Sequence, residues 1–124
     1  MIKTKRAYEN YAPEDGRRVL VDRLWPRGVT KQKVKIDAWM KEIAPSNTLR
    51  RWFGHDPARW GEFKKRYRKE LETKKEMMRE LEEWAMNGDV TILFAAKDEA
   101  HNNAVALKEM LEELMRKREK KQDS

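Results

Sequence analysis

Seven consecutive residues, Val90-Thr-Ile-Leu-Phe-Ala-Ala96, carry no charge and are mostly β-branched, aromatic or aliphatic. So short an apolar run reads as a strand covered on both faces. A second run of this kind, Val19-Leu20-Val21, lies far upstream. Between them the apolar residues recur at helical spacing, with Trp60, Phe63, Tyr67 and Leu71 on one face, then Met77, Leu81, Trp84 and Ala85 on another. Buried strands joined through helices within one sheet pair in parallel by a right-handed crossover. The expected fold is a small single-domain α/β protein, with about three mostly parallel strands packed against about five helices.

Local signals place the other elements. Ile2 to Tyr8 alternates loosely and is rich in Lys and Arg, which suits an edge strand. Pro13-Glu14-Asp15-Gly16 is a turn. Thr30 to Ile43 reads as a helix, because Ile36, Trp39, Met40 and Ile43 fall at helical spacing, and Pro45 ends it. Ser46 is a good N-cap for a short helix that Gly54 closes. Asp56-Pro57 starts the next helix. Thr73 with Glu76 reads as a capping box that restarts it, and Asn87-Gly88 stops it. Asp98 is the expected cap of the last helix, whose inner face would be Ala104, Leu107, Leu111 and Leu114. Residues 1–115 form the expected domain, and 116–124 a basic, fraying helix end.

Composition narrows the function classes. The 124 residues include no cysteine, so disulfides and thiolate chemistry are absent. The basic start lacks an apolar stretch that would make it a signal peptide, and no run approaches the ~18 residues of a membrane span. No membrane partner and a cytoplasmic location are the default expectations. Charged residues make up 41% of the chain, a bias towards Lys, Arg and Glu that resembles proteins of hot-growing organisms. The net charge of +7 invites a nucleic-acid reading. The segment from Arg116 onward contributes +3 of it, however, and between Arg59 and Glu83 nine basic residues face seven acidic ones, as on solvated helix surfaces.

The chemistry converges where strands end. Asp22, Arg23, Trp25 and Arg27 follow the Val19–Val21 strand, and Pro26 and Gly28 break it. Asp98, His101, Asn102 and Asn103 follow the strand at 90–96. Ligands of open α/β sheets bind at the carboxyl ends of strands. Neighbouring strands would therefore bring these two clusters face to face. The same residues also suit a buried hydrogen-bond network, with Asp22 paired to an arginine, Asp98 capping the helix and His101 bonding a carbonyl. Trp25 could wall a pocket, stack on a ring or pack in the core, where Trp39, Trp52, Trp60 and Trp84 are expected. His55, just before a helix start, is either a loop residue or a member of the site. No histidine spacing supports a metal, and no glycine-rich phosphate loop or nucleophile elbow occurs, so no cofactor is implied.

The motifs Asp15-Gly16, Val19-Leu-Val-Asp-Arg-Leu-Trp-Pro-Arg-Gly28, Trp39-Met-Lys-Glu-Ile-Ala-Pro-Ser46, Leu49-Arg-Arg-Trp-Phe-Gly-His-Asp-Pro57 and Phe94-Ala-Ala-Lys-Asp-Glu-Ala-His-Asn-Asn-Ala104 stand in order along the chain. Together they resemble the YeaO-like family, small bacterial and archaeal proteins of a domain-of-unknown-function group, over about Lys3 to Leu114. The resemblance brings no established activity. It implies a polar set of Asp22, Arg23, Trp25, Arg27, Lys41, Arg50, His55, Asp98, His101, Asn102 and Asn103.

Three functions compete. The first is an enzyme or binder acting on an anionic small molecule such as a nucleotide or phosphate ester. Arg23, Arg27, Lys41 and Arg50 would hold the anion. Asp22, Asp98, His101 and His55 would supply acid or base, and Trp25, Asn102 and Asn103 would orient the ligand. The second is a nucleic-acid-binding or regulatory module using the positive charge, with Trp25 stacking. The third is a protein-docking module, served by adaptable methionines such as Met77, Met78 and Met86.

Overall fold

The structure, a computed structural model, describes residues 1–123. Its centre is a parallel sheet of four strands: β1 (Ile2–Arg6), β2 (Arg17–Leu20), β3 (Ala38–Trp39) and β4 (Val90–Phe94). Their spatial order is β1-β4-β2-β3. The apolar run at 90–94 is therefore interior, and the Lys-rich β1 is an edge. Val19 pairs with Ile92 and Leu20 with Leu93, so the two apolar runs lie side by side. The helices are α1 (Lys31–Val34), α2 (Asn47–Phe53), α3 (Trp60–Leu71), α4 (Lys75–Asn87) and α5 (Asn103–Asp123). No helix among the described residues is long and apolar enough to cross a membrane.

Strand alternation sorts the core onto two faces. Val19, Val21, Val90, Ile92 and Phe94 face a large cluster completed by Phe53, Phe63, Tyr67, Leu81, Leu107 and Leu111 of α2 to α5. Leu20 and Leu93 face a smaller cluster with Ala7 and Val34, edged by Trp25, Val29, Ile36 and Trp39. On this thinner side Arg18 is fully buried. Its guanidinium bonds the carboxylate of Asp15 and, at 2.7 Å, the Val34 carbonyl. Lys5 adds a second cation to Asp15 at 3.1 Å. Burial alone would raise the Asp15 pKa, but bonds from the Ala12 amide, Lys5 and Arg18 hold it below the ordinary value. Gly16 closes this corner at φ 66°, where an added Cβ would lie 2.2 Å from the Asp89 carbonyl oxygen.

Several expectations need correction. There are four strands, because the helix expected over Thr30–Ile43 stops at Val34. Lys35 turns left-handed there (φ 50°), the Asp37 amide donates to the Arg18 carbonyl at 2.8 Å, and the Met40 amide donates to the Leu20 carbonyl at 2.9 Å. Trp39 is thus a strand residue. The first strand ends at Arg6 rather than Tyr8. Thr73 does not cap α4: its hydroxyl donates back to the Glu70 carbonyl, and the N-cap position is Lys74. Leu114 is 37% exposed and off the inner face. Asp98 does not cap α5; Asn102 does, its Oδ1 accepting the Val105 amide at 3.0 Å. By contrast Ser46 caps α2 through the Leu49 amide, and Gly54 closes it in the left-handed region. Asp56 caps the turn at Pro57–Arg59 through the Ala58 amide.

The expected core tryptophans are half-buried. Each exposed ring carries a cation: Arg66 on Trp52 at 4.0 Å, Arg17 on Trp84 at 4.4 Å, Lys41 on Trp39 at 4.8 Å and Lys64 on Trp60 at 5.3 Å. Such contacts cover an aromatic face without removing the charge from water. The last helix crosses residue 116 without interruption, and Arg118 pairs with Glu82 at 3.6 Å.

Candidate functional site

Parallel pairing directs the carboxyl ends of β1, β2 and β4 to one edge, and a cleft of about 370 Å³ opens there. Each strand contributes the residues just beyond its end: Tyr8 after β1, Asp22 to Arg27 after β2, and Ala95 and Ala96 after β4. The segment entering α5 adds His101, Asn102 and Asn103. The opposite wall comes from Ala44, Pro45, Arg50, Phe53 and His55, with Phe63 of α3 behind them. Nine of the eleven residues singled out in the sequence therefore share one cavity. Lys41 lies outside it, over Trp39, and Asp98 stands behind His101.

Asp22 anchors the floor. Its Oδ2 accepts the Ala95 amide at 2.8 Å, its Oδ1 accepts Asn103 Nδ2 at 3.1 Å, and its carbonyl accepts Trp39 Nε1 at 2.7 Å. No arginine pairs with it within salt-bridge distance. Burial pushes its carboxyl above the ordinary value, with the Asn103 and Ala95 bonds and the Arg50 charge opposing.

Three arginines share the cleft with Asp22. Arg23, Arg27 and Arg50 take part in no ion pair among the described residues. Arg50 makes one weak bond, to Asn47 Oδ1 at 3.4 Å. Arg23 Nε is buried with no hydrogen-bond partner. A buried donor left unpaired by the protein costs roughly 1–3 kcal/mol.

The two asparagines are engaged internally. Asn102 is buried and donates to the Asp98 carbonyl at 2.9 Å while capping α5. Asn103 Nδ2 is shared between Val21 O and Asp22 Oδ1. Trp25 donates to the Val29 carbonyl at 2.8 Å and meets Trp39 edge-on at 5.5 Å, so its indole belongs to the smaller core while one edge lines the cleft. His55 is exposed, at φ 58°, with its ring tilted over Phe53. His101 Nδ1 lies 2.9 Å from Asp98 Oδ2, and its ring stands edge-on to Trp60 at 5.3 Å. Amides of Ala100 and His101 and the imidazole itself hold the Asp98 carboxyl below its ordinary value. No group of three or more metal-ligating side chains occurs among the described residues.

Tyr8, Phe53 and the Ala44–Pro45 wall were not anticipated. Tyr8 was findable, since the carboxyl-end rule applies to β1 as much as to β2. The wall was not, because side chains of α3 and of the turn after it hold it in place. Tyr67 donates to the Ile43 carbonyl at 2.8 Å, Lys74 donates to the Ala44 carbonyl at 3.1 Å, and both Glu70 oxygens accept from Ser46.

Fold and cleft together define a small parallel α/β protein with a ligand-sized cavity at its strand carboxyl ends. The chain belongs to a YeaO-like family of unknown function: the family description "Inactive DUF488-N3 subclade" matches residues 1–124. It is 37% identical over 113 residues to the uncharacterised protein YeaO of Escherichia coli, covering 91% of this chain and 98% of that one. It is 38% identical over 110 residues to an uncharacterised protein of Mycobacterium tuberculosis, covering 89% and 92%. An uncharacterised protein of Mycobacterium bovis matches to the same extent. No solved structure matches the chain.

Proposed function

We propose that this protein binds an anionic small molecule, a nucleotide or another phosphate-bearing compound, in the carboxyl-end cleft. The observation that carries this reading is the meeting of Arg23, Arg27 and Arg50 in one cavity, with the buried Arg23 Nε–H left without a protein acceptor. Guanidinium groups pair with phosphate through short, parallel, charge-assisted bonds. A cleft of about 370 Å³ lies at the small end of the usual range for ligand sites, which suits a mononucleotide-sized ester better than a polymer. The family's description as inactive favours binding over turnover. The residues lining the cleft all lie within residues 1–115.

The test is calorimetry of the full chain against nucleotides, sugar phosphates, inorganic anions and oligonucleotides. Binding of a small phosphate ester that weakens at least ~10-fold in both Arg23→Ala and Arg27→Ala supports the reading. Binding of oligonucleotides alone, fading steeply with salt, replaces it with nucleic-acid recognition.

A further inference from the structure

Asp98 is spaced to cap a helix, yet Asn102 caps α5 and the Asp98 carboxylate turns instead to His101 Nδ1. A carboxylate only accepts, so this contact places the proton of a neutral imidazole on Nδ1 and leaves Nε2 as the open nitrogen. Two backbone amides, of Ala100 and His101, fix the carboxylate, and Trp60 stands against the ring, so the imidazole is held from two sides. Helix formation requires none of this. The arrangement is a tautomer-setting pair at the rim of a cation-rich cleft.

Resting on the anion-site reading, we infer that His101, positioned by Asp98, is the group that selects a phosphate monoester, sharing one proton with it through Nε2. A phosphate monoester loses its second proton near pH ~6. The monoanion's P–O–H proton can pass to Nε2, leaving an imidazolium facing a phosphate dianion, and no atom or charge is unaccounted for. Diesters, sulfates and carboxylates have no proton to share in this range. The guanidinium groups of Arg23, Arg27 and Arg50 supply charge for a dianion rather than a single negative charge. The titratable and charged groups sharing the cleft with His101 are Tyr8, Asp22 and these three arginines, with His55 at the far wall and Asp98 behind.

The probes are phenyl phosphate, methyl phenyl phosphate and phenyl sulfate, measured by calorimetry and by nitrogen NMR of the histidine rings from pH 5.5 to 8. Where the His101 ring is neutral its proton should sit on Nδ1, and Nε2 should gain a proton when phenyl phosphate is added. The monoester should bind about tenfold more tightly than the diester or the sulfate, a preference lost in His101→Gln. Asp98→Asn, which retains a side chain able to accept the amide bonds, should keep the fold, scramble the tautomer and reduce the preference. If Arg23→Ala abolishes binding while His101→Gln and Asp98→Asn keep the tenfold preference, the inference fails and the anion site stands. If no anion binds the parent protein, both fail.

Discussion

Asn103 ties the start of α5 to the end of β2 by donating to Asp22 Oδ1 at 3.1 Å. The same amide nitrogen also reaches the Val21 carbonyl, and the other Asp22 oxygen takes the Ala95 amide. Two adjacent strand ends and a helix start thereby meet on one carboxyl, and the cleft floor follows from that junction. Asn103→Ala leaves Asp22 Oδ1 and the Val21 carbonyl without this donor. It is expected to cost about 1–3 kcal/mol in urea denaturation and to raise the Asp22 pKa further, since a bond that opposes the burial effect is gone. Unchanged stability would mean that water replaces the amide and that the junction is looser than its geometry.

The buried pair of Asp15 and Arg18 has a pH signature. The Asp15 carboxyl is held below its ordinary 3.8, so the unfolded chain binds more protons in that range. Its stabilisation is complete above 3.8 and is lost as the pH falls below it. Asp22 has the opposite sign. Its folded pKa lies above 3.8, so the folded chain binds more protons and stability declines as the pH rises from 3.8 through that value. Asp15→Asn should destabilise by about 3–5 kcal/mol at neutral pH, because Arg18 is left buried beside a neutral partner, and should flatten the acid limb. Asp22→Asn should remove the decline on the other side. Denaturation midpoints from pH 3 to 7 separate the two.

These two sites also show what was legible in the chain. The carboxyl-end clusters could be read because strand ends are marked locally, by an apolar triplet followed by Pro26 and by an apolar run followed by polar residues. The caps at Ser46 and Asp56 were readable for the same reason. Trp39 and Ile36 were not, since their spacing fits a helix and only pairing with β2, through the Arg18 and Leu20 carbonyls, draws that segment into the sheet. Asp98 and Asn102 are equally good caps four residues apart, and packing of α5 against β1 and β4 decides between them. The burial of Arg18 follows from its position two residues before Leu20 on the thinner face, which matters only once α1, ending at Val34, is known to cover it.

Glu70 braces the wall of the cleft from behind. Its two oxygens accept the Ser46 amide at 2.8 Å and the Ser46 hydroxyl at 2.6 Å, just ahead of the helix that carries Arg50. Glu70→Ala should cost about 1–3 kcal/mol and weaken anion binding several-fold through displacement of Arg50. Glu62→Ala is the matched control on the same helix, because its exposed pair with Arg66 contributes at most ~0.5 kcal/mol. Equal effects of the two variants on binding would show that the wall does not depend on Glu70.

Arg23 offers the sharpest separation of ligand binding from folding. Its buried Nε–H has no partner among the described residues, and a donor so placed costs roughly 1–3 kcal/mol. Methionine has a similar unbranched stem and no donor. Arg23→Met should therefore leave the free protein as stable as the parent or about 1 kcal/mol more stable, while abolishing the stabilisation that a phosphate ester gives. A residue kept for packing or for an internal network would behave in the opposite way, losing stability on substitution and changing ligand response only in proportion. Thermal midpoints of parent and variant, each with and without phenyl phosphate, distinguish the two: a gain in the free state with loss of the ligand shift assigns Arg23 to the anion, and a loss in the free state assigns it to the fold.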